Sequence, residues 1–304
     1  MFEPTLHNVN DLFRRHGVRE EIVRIEKLSG TTAGLVLKLE SRQENAYVLK
    51  FDHPDSVRPV RRLLEAYASS PLLPQVLLTA EDDSYFAYAF MEGTTHFNRG
   101  AKKDWMKALT VGLLNRYEPC EDADYWGRTE YPRASWREFN EIGIEEARIN
   151  LGNVLTEDDY RYVKQTADKL FDSEAEQGAK YGLHGDTGVH NFVYRDSALI
   201  GVIDPSPMAG PILYDFLYAF CSSPDDLNIE TLLAALDDLE HVQIRRPRLI
   251  EETLIQLYCR TGLSVKHHPH DLPGYLEAWS YWTALCRRQE EDDHAKSADA
   301  KSPY

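Results

Sequence analysis

The sequence has no cysteines at metal-ligand or redox spacing, no surplus of basic residues, no apolar run of membrane length and no internal repeat. Each absence removes a class of function. Cys120, Cys221, Cys259 and Cys286 lie far apart without a CxxC, so the thiols read as reduced and mostly buried rather than as a zinc site or a disulfide framework. Acidic residues outnumber basic ones, 50 to 34, for a formal net charge of −16. Such a chain repels a phosphate backbone, and no Lys/Arg stripe interleaved with aromatics offsets this, which argues against nucleic acid as a partner. No apolar stretch approaches the roughly 20 residues that span a bilayer, and the opening MFEPTLHNVNDLF has neither the basic start nor the apolar segment of a secretory signal. A cytoplasmic protein with no membrane partner is expected.

What is present is enough apolar material for one large core or two joined lobes: 304 residues, 42% of them hydrophobic. The first ninety or so residues are rich in strand signals. EEIVRIEKLSG and GLVLKLESR alternate apolar and polar residues around SGTTAG, NAYVLKFD follows a turn-like SRQEN, and LPQVLLTAEDD and SYFAYAFMEG meet at an acidic turn. A short helix fits SVRPVRRLLEAYASS between them. From residue 94 the spacing becomes helical in KKDWMKALTVGLLNRY, TEDDYRYVKQTADKLFDSEAEQG, ILYDFLYAFCS, ETLLAALDDLEHV and RRPRLIEETLIQLYCRTG. The pattern divides the chain into a β-rich lobe over 1–93 and a larger helical lobe over 94–286. The polar tail 287–304, with no large apolar side chain before its final tyrosine, is expected to be disordered. The cluster KHHPHD reads as a loop between helices, because Pro269 and Pro273 break any regular ligand spacing.

The informative stretch is YGLHGDTGVHNFVYRDSALIGVIDPSP, residues 181 to 207, a β-like island in the helical half. FVY and LIGVI suit the two strands of a hairpin, which would bring Asn191 and Asp204 to the same end. Two oxygen ligands so placed can hold a hard cation such as Mg²⁺, which keeps waters and takes other ligands from substrate phosphates. Asp186, five residues before Asn191, is then free to accept the proton of a substrate hydroxyl.

HGDTGVHN followed by VID resembles the catalytic loop and metal-binding segment of the aminoglycoside phosphotransferase and choline kinase family, within the protein-kinase-like fold. The resemblance covers roughly residues 20 to 220 and implies an α+β, two-lobed architecture with a small β-rich N-lobe and a larger helical C-lobe. It implies that Lys50, closing AYVLK, holds nucleotide phosphates, and that Ser29, Gly30, Thr31 and Gly34 of SGTTAG belong to the loop covering them. Backbone groups from Ala89 to Met91 would meet adenine. Asp215 of the Tyr214-Asp215 pair would be a structural aspartate tied to the catalytic loop, and the loop histidines, here His184 and His190, would be structural. The helix carboxylate that pairs with Lys50 would be Glu65, with Asp55 as a rival, or the pair is absent.

The departures from a protein kinase point to a small acceptor. Gly185 stands where a protein kinase has Arg, Ser206 where it has Gly, and Asp215 follows Asp204 by only eleven positions, too few for an extended activation segment. IDPSPMAGPILYDF also resembles the streptomycin- and hydroxyurea-phosphotransferase branch. The resemblance thus implies an ATP- and Mg²⁺-dependent kinase acting on a hydroxyl of a small molecule; a nucleotide-binding regulatory pseudo-kinase on the same fold is the alternative. Acidic loops, with Asp225 and Asp226 among them, suggest a cationic acceptor.

Overall fold

The computed structural model describes residues 2–28, 34–95, 97–172 and 179–299, with 293–299 as backbone alone. It separates into two compact units, Met1–Arg99 with His190–Pro207, and Gly100–Val189 with Met208–Tyr304.

The first unit is built on five antiparallel strands, β1 (Ile22–Lys27), β2 (Leu35–Ser41), β3 (Ala46–Phe51), β4 (Val76–Thr79) and β5 (Tyr85–Ala89), in the order β1-β2-β3-β5-β4. Leu37, Leu39, Tyr47, Leu49 and Ala87 alternate onto one face. Helix α1 (Leu6–Arg15) covers it with Val9, Leu12 and Phe13. Thr5 caps that helix, and Asn10 clamps β1 by giving to Ile22 O and taking from Ile22 N–H. The register puts Val36, Lys38, Val48, Lys50, Phe86 and Tyr88 on the opposite face.

Helix α2 (Pro54–Ala66) begins with Pro54 in its first turn after the His53 cap and buries Val57, Val60, Leu63 and Leu64. Its Arg58 and Arg61 grip Asp83 in the β4–β5 turn at 2.7 and 2.9 Å.

The hairpin of β8 (Phe192–Arg195) and β9 (Ala198–Val202) belongs to this first unit, although it lies in the part of the sequence assigned to the helical lobe. Its turn residues Asp196 and Ser197 both have positive φ, the tight two-residue turn whose twist suits a hairpin. Thr94 and Tyr194 exchange both backbone hydrogen bonds at 2.9 Å, and Val202 N–H reaches Leu72 O. Gly93 allows this approach, since a Cβ there would lie 2.6 Å from both Tyr194 O and a Val193 methyl. Gly93→Ala should therefore cost about 1–3 kcal/mol through overpacking, read as a lower Tm. An unchanged Tm would show that the close approach is dispensable.

The second unit is helical: α3 (Lys102–Gly112), α4 (Trp136–Leu151), α5 (Glu157–Leu170), α6 (Ile212–Cys221), α7 (Ile229–Leu236), α8 (Arg246–His267) and α9 (Leu272–Asp299). A small sheet of β6 (Gly127–Arg128), β10 (Met208–Gly210) and β7 (Tyr181–Leu183) runs in the order β6-β10-β7. Gly262 of α8 lets α4 come close, a Cβ there falling 2.8 Å from Ala147 Cα. Lys102 is buried and donates to Phe220 O and Ser223 O, capping the C-terminal end of α6 with a cation.

The tail expected to be disordered from residue 287 is helical as far as it is described, and residues 300–304 lie outside the described residues. Helix α9 runs on to Asp299, anchored where Glu290 accepts from Tyr162 OH at 3.1 Å and Arg287 lies over the Tyr162 ring. Residues 266–271 form the end of α8 and a single 3₁₀ turn. Among the described residues no three His, Cys, Asp or Glu side chains gather as a metal site, no helix is long and apolar enough to cross a membrane, and all four cysteines are free.

Candidate active site

Asp186 is delivered by β7 through His184 and Gly185. Gly185 has φ +78, a conformation natural to glycine, and this is where an arginine was noted to be missing. Tyr218 OH donates to Asp186 Oδ1 at 2.8 Å, and Asp186 N–H donates to His184 Nδ1 at 3.3 Å. The loop histidine thus works on the backbone.

Asp215 lies completely buried beneath this loop and accepts from Tyr117 OH at 2.6 Å and from Gly185 N–H at 3.1 Å, while Thr187 OH donates to its carbonyl. Tyr117 OH also accepts from His184 N–H. Asp215 is therefore the post on which the loop is fixed. Desolvation pushes its carboxyl up to about 6, opposed by the Tyr117 and Gly185 bonds.

This upward shift has a pH signature. With the folded value above the unfolded one, the Asp215 contribution is fully present below about pH 4 and is lost as pH rises through about 6. Against Asp215→Asn, in which the other groups cancel, the wild type should gain up to about 3 kcal/mol between pH 7 and pH 4. Urea midpoints across that range read it, and a difference of opposite slope would contradict the burial argument.

In the first unit, Lys50 stands one residue before the end of β3 and its Nζ lies 3.8 Å from Asp204 Oδ1. Asn191 is 6% exposed, and its carbonyl accepts from Ile203 N–H at 2.9 Å, which sets Asn191 and Asp204 at the same end of the hairpin. Asp204 has φ +53 and a 61% exposed side chain. Aspartate tolerates that left-handed region better than most residues.

The two carboxylates proposed for Lys50 do not reach it. Glu65 pairs with Arg61 at 2.5 Å, and Asp55 with Arg58 and His53. Arg58, Arg61 and Glu65 share one helical stripe aimed at the β4–β5 turn, so Glu65 is committed to its own helix. The partner of Lys50 is Asp204.

At the proposed adenine segment, Ala89 N–H goes to Gln75 O and Phe90 N–H to Ala46 O. Met91 N–H has no protein acceptor among the described residues. Gly34 is described and tightly placed, a Cβ there falling 2.5 Å from Phe51 O, whereas Ser29, Gly30 and Thr31 lie outside the described residues. Asp225 and Asp226 stay in a local turn after α6. Ser223 OH donates to Asp225 at 2.6 Å, and Asn228 N–H donates to Asp226 O.

No family model matches the chain and no curated relative does. Solved structures do. The macrolide 2′-phosphotransferase MphH from Brachybacterium faecium aligns over 90% of this chain and 97% of its own, with TM-score 0.59 and 14% identity. The GDP and kanamycin complex of an APH(2″) protein covers 95% and 99% at 0.55 and 13%, and the ADP-bound aminoglycoside phosphotransferase APH(2″)-Ib covers 89% and 95% at 0.53 and 17%.

The chain has the protein-kinase-like fold of these phosphotransferases. At such identity the likeness establishes architecture, and the chemistry must be argued from the site. Two residues near the Asp186 loop were not read from the sequence. Tyr218 escaped notice because a tyrosine at helical spacing in YDFLYAF reads as core. Arg128 escaped because its place depends on β6, β10 and β7, three segments far apart in the chain.

Proposed function

We propose that the chain is an ATP- and Mg²⁺-dependent kinase that transfers the γ-phosphoryl group to a hydroxyl of a small molecule. The observation that carries this reading is the HGDTGVHN loop, with Asp186 and Asp215 held by Tyr218, Tyr117 and Gly185, and running on into a hairpin that sets Asp204 beside Lys50. The acceptor hydroxyl attacks the γ-phosphorus, its proton passes to Asp186, and the bond to the β–γ bridging oxygen breaks to leave ADP.

Asn191 and Asp204 offer oxygen donors alone, which fits Mg²⁺ better than a softer metal. When bound, Mg²⁺ would neutralise phosphate charge. Lys50 would hold the phosphates, and Met91 N–H would donate to the base. The segment after Asp204 becomes β10 and then α6, so no extended platform for a protein substrate stands there. This supports a small acceptor. Several solved relatives in fold carry small antibiotics or nucleotides by name, which agrees with this reading.

The test is nucleotide turnover by the full chain with Mg²⁺, using ATP and GTP against aminoglycosides, amino alcohols, sugars and hydroxy acids. Acceptor-dependent ADP formation is expected. Nucleotide binding with no turnover on any acceptor would instead favour a regulatory pseudo-kinase.

A further inference from the structure

The helical unit contains a cation whose donors meet no acceptor among the described residues. Arg128 ends β6, and the register Arg128↔Met208↔Leu183 places it in one row of the small sheet with the last residue of β7, the strand that delivers Asp186. Strands in such a row lie about 4.8 Å apart. Gly127 beside it has φ +76 and backs onto Phe139, where a Cβ would fall 2.6 Å from the ring. Phe139 stacks on Trp136 with centroids 4.7 Å apart, and both meet Tyr214 edge-on. Tyr214 lies 5.8 Å from the ring of Tyr218, whose hydroxyl bonds Asp186. Packing is thus continuous from β6 to the base.

Desolvation works against the Arg128 cation, and the negative charges of the Asp186 and Asp215 carboxylates favour it. Yet among the described residues its guanidinium makes no hydrogen bond and no ion pair. Arg260, the other guanidinium whose charge interacts with Asp186, is spent on Tyr275 OH and Ser222 O. Five N–H donors in a planar fork, half-buried and without acceptors, match a carboxylate or phosphate in geometry as well as charge.

We propose that Arg128 recognises an oxyanion on the acceptor molecule, next to the hydroxyl presented to Asp186. This rests on the kinase reading and names its substrate class as hydroxylated carboxylates or phosphate esters. It replaces the cationic acceptor suggested by the acidic loops. Asp225 and Asp226 are exposed charges in a local turn, which salt screens, whereas the half-buried Arg128 cation is screened less.

The experiment is calorimetric titration of the full chain without nucleotide, using glycerate, erythronate and glycerol phosphate against glycerol and erythritol. Charge-assisted bonds to one guanidinium should make at least one acid bind about tenfold or more tighter than its matched polyol. The phosphate and carboxylate arms show which oxyanion is preferred. Arg128→Met should bring acid and polyol to within about twofold while ADP affinity and Tm are retained, and Arg128→Lys should restore part of the preference. No acid exceeding its polyol, or a preference that survives Arg128→Met, overturns the proposal. So does an equal loss of acid binding and basal ATP hydrolysis, which would assign the guanidinium to the transferring phosphoryl group. Failure of the wild type to bind Mg-ATP would sink the kinase reading separately, leaving the acid preference still measurable.

Discussion

Asp186→Asn should lower phosphoryl transfer by about 10²–10⁴ while Mg-ATP binds within about threefold of the wild type. The substitution keeps the shape of the side chain and removes its capacity to take a proton. Tyr218 OH can still donate to the remaining carbonyl oxygen, and the Asp215 post is untouched. Binding and turnover should come apart. Tyr218→Phe serves as a graded control: it leaves the carboxylate in place and removes one bond that orients it, so the fall should be far smaller. Single-turnover transfer to whichever acceptor the turnover screen identifies, paired with calorimetry for the nucleotide, reads both quantities. Near-normal transfer by Asp186→Asn would remove Asp186 as the base.

The elements that were legible in the sequence are those defined by local pattern. The five strands show alternation and turn chemistry, and the 181–207 stretch carries its residues at spacings that one hairpin accounts for. Three helices went unread, α1, α4 and α9, and for the first two the signals are present. Leu6, Val9, Leu12 and Phe13 fall on one face after the Thr5 cap, and Ser135 with Glu138 marks the start of α4. The first was read only for what a secretory segment would need. In the second, Gly143 and the exposed Ile149 blur the apolar stripe.

The failures at the site have a different cause. Pairing of Lys50 with Glu65 was an inference about a tertiary contact, and competition from Arg61 one turn earlier on the same helix decided it. The placement of the 190–207 hairpin likewise depends on Gly93 and on Gly201, where a Cβ would fall 2.5 Å from Met91 Sδ. No periodicity reports a close approach of that kind. Arg128 is the clearest case: a lone arginine in YWGRTEY has no pattern, and its environment is assembled from rings on α4 and α6.

Asp204→Asn should abolish the Mg²⁺ dependence of nucleotide binding while sparing metal-free affinity. Lys50 Nζ stands 3.8 Å from this carboxylate, so in the absence of metal the Asp204 charge partly cancels the lysine that phosphates would meet. Removing that charge should leave metal-free ATP binding equal or stronger. With Mg²⁺ the balance reverses, because a hard cation loses one anionic ligand. Even outer-sphere partners of metal ligands cost 10–100-fold when removed, so loss of a direct ligand should weaken Mg-ATP by about 10²-fold or more. Asparagine is the substitution that isolates charge. The backbone at Asp204 is held at φ +53, which asparagine tolerates and alanine does not, so Asp204→Ala would add a conformational penalty of about 1–2 kcal/mol unrelated to the metal. Calorimetric titration of ATP at zero and saturating Mg²⁺ gives four affinities for the two proteins. A variant that retains the wild-type ratio of metal-bound to metal-free affinity would show that Asp204 does not hold the metal, and the hairpin would then need another role.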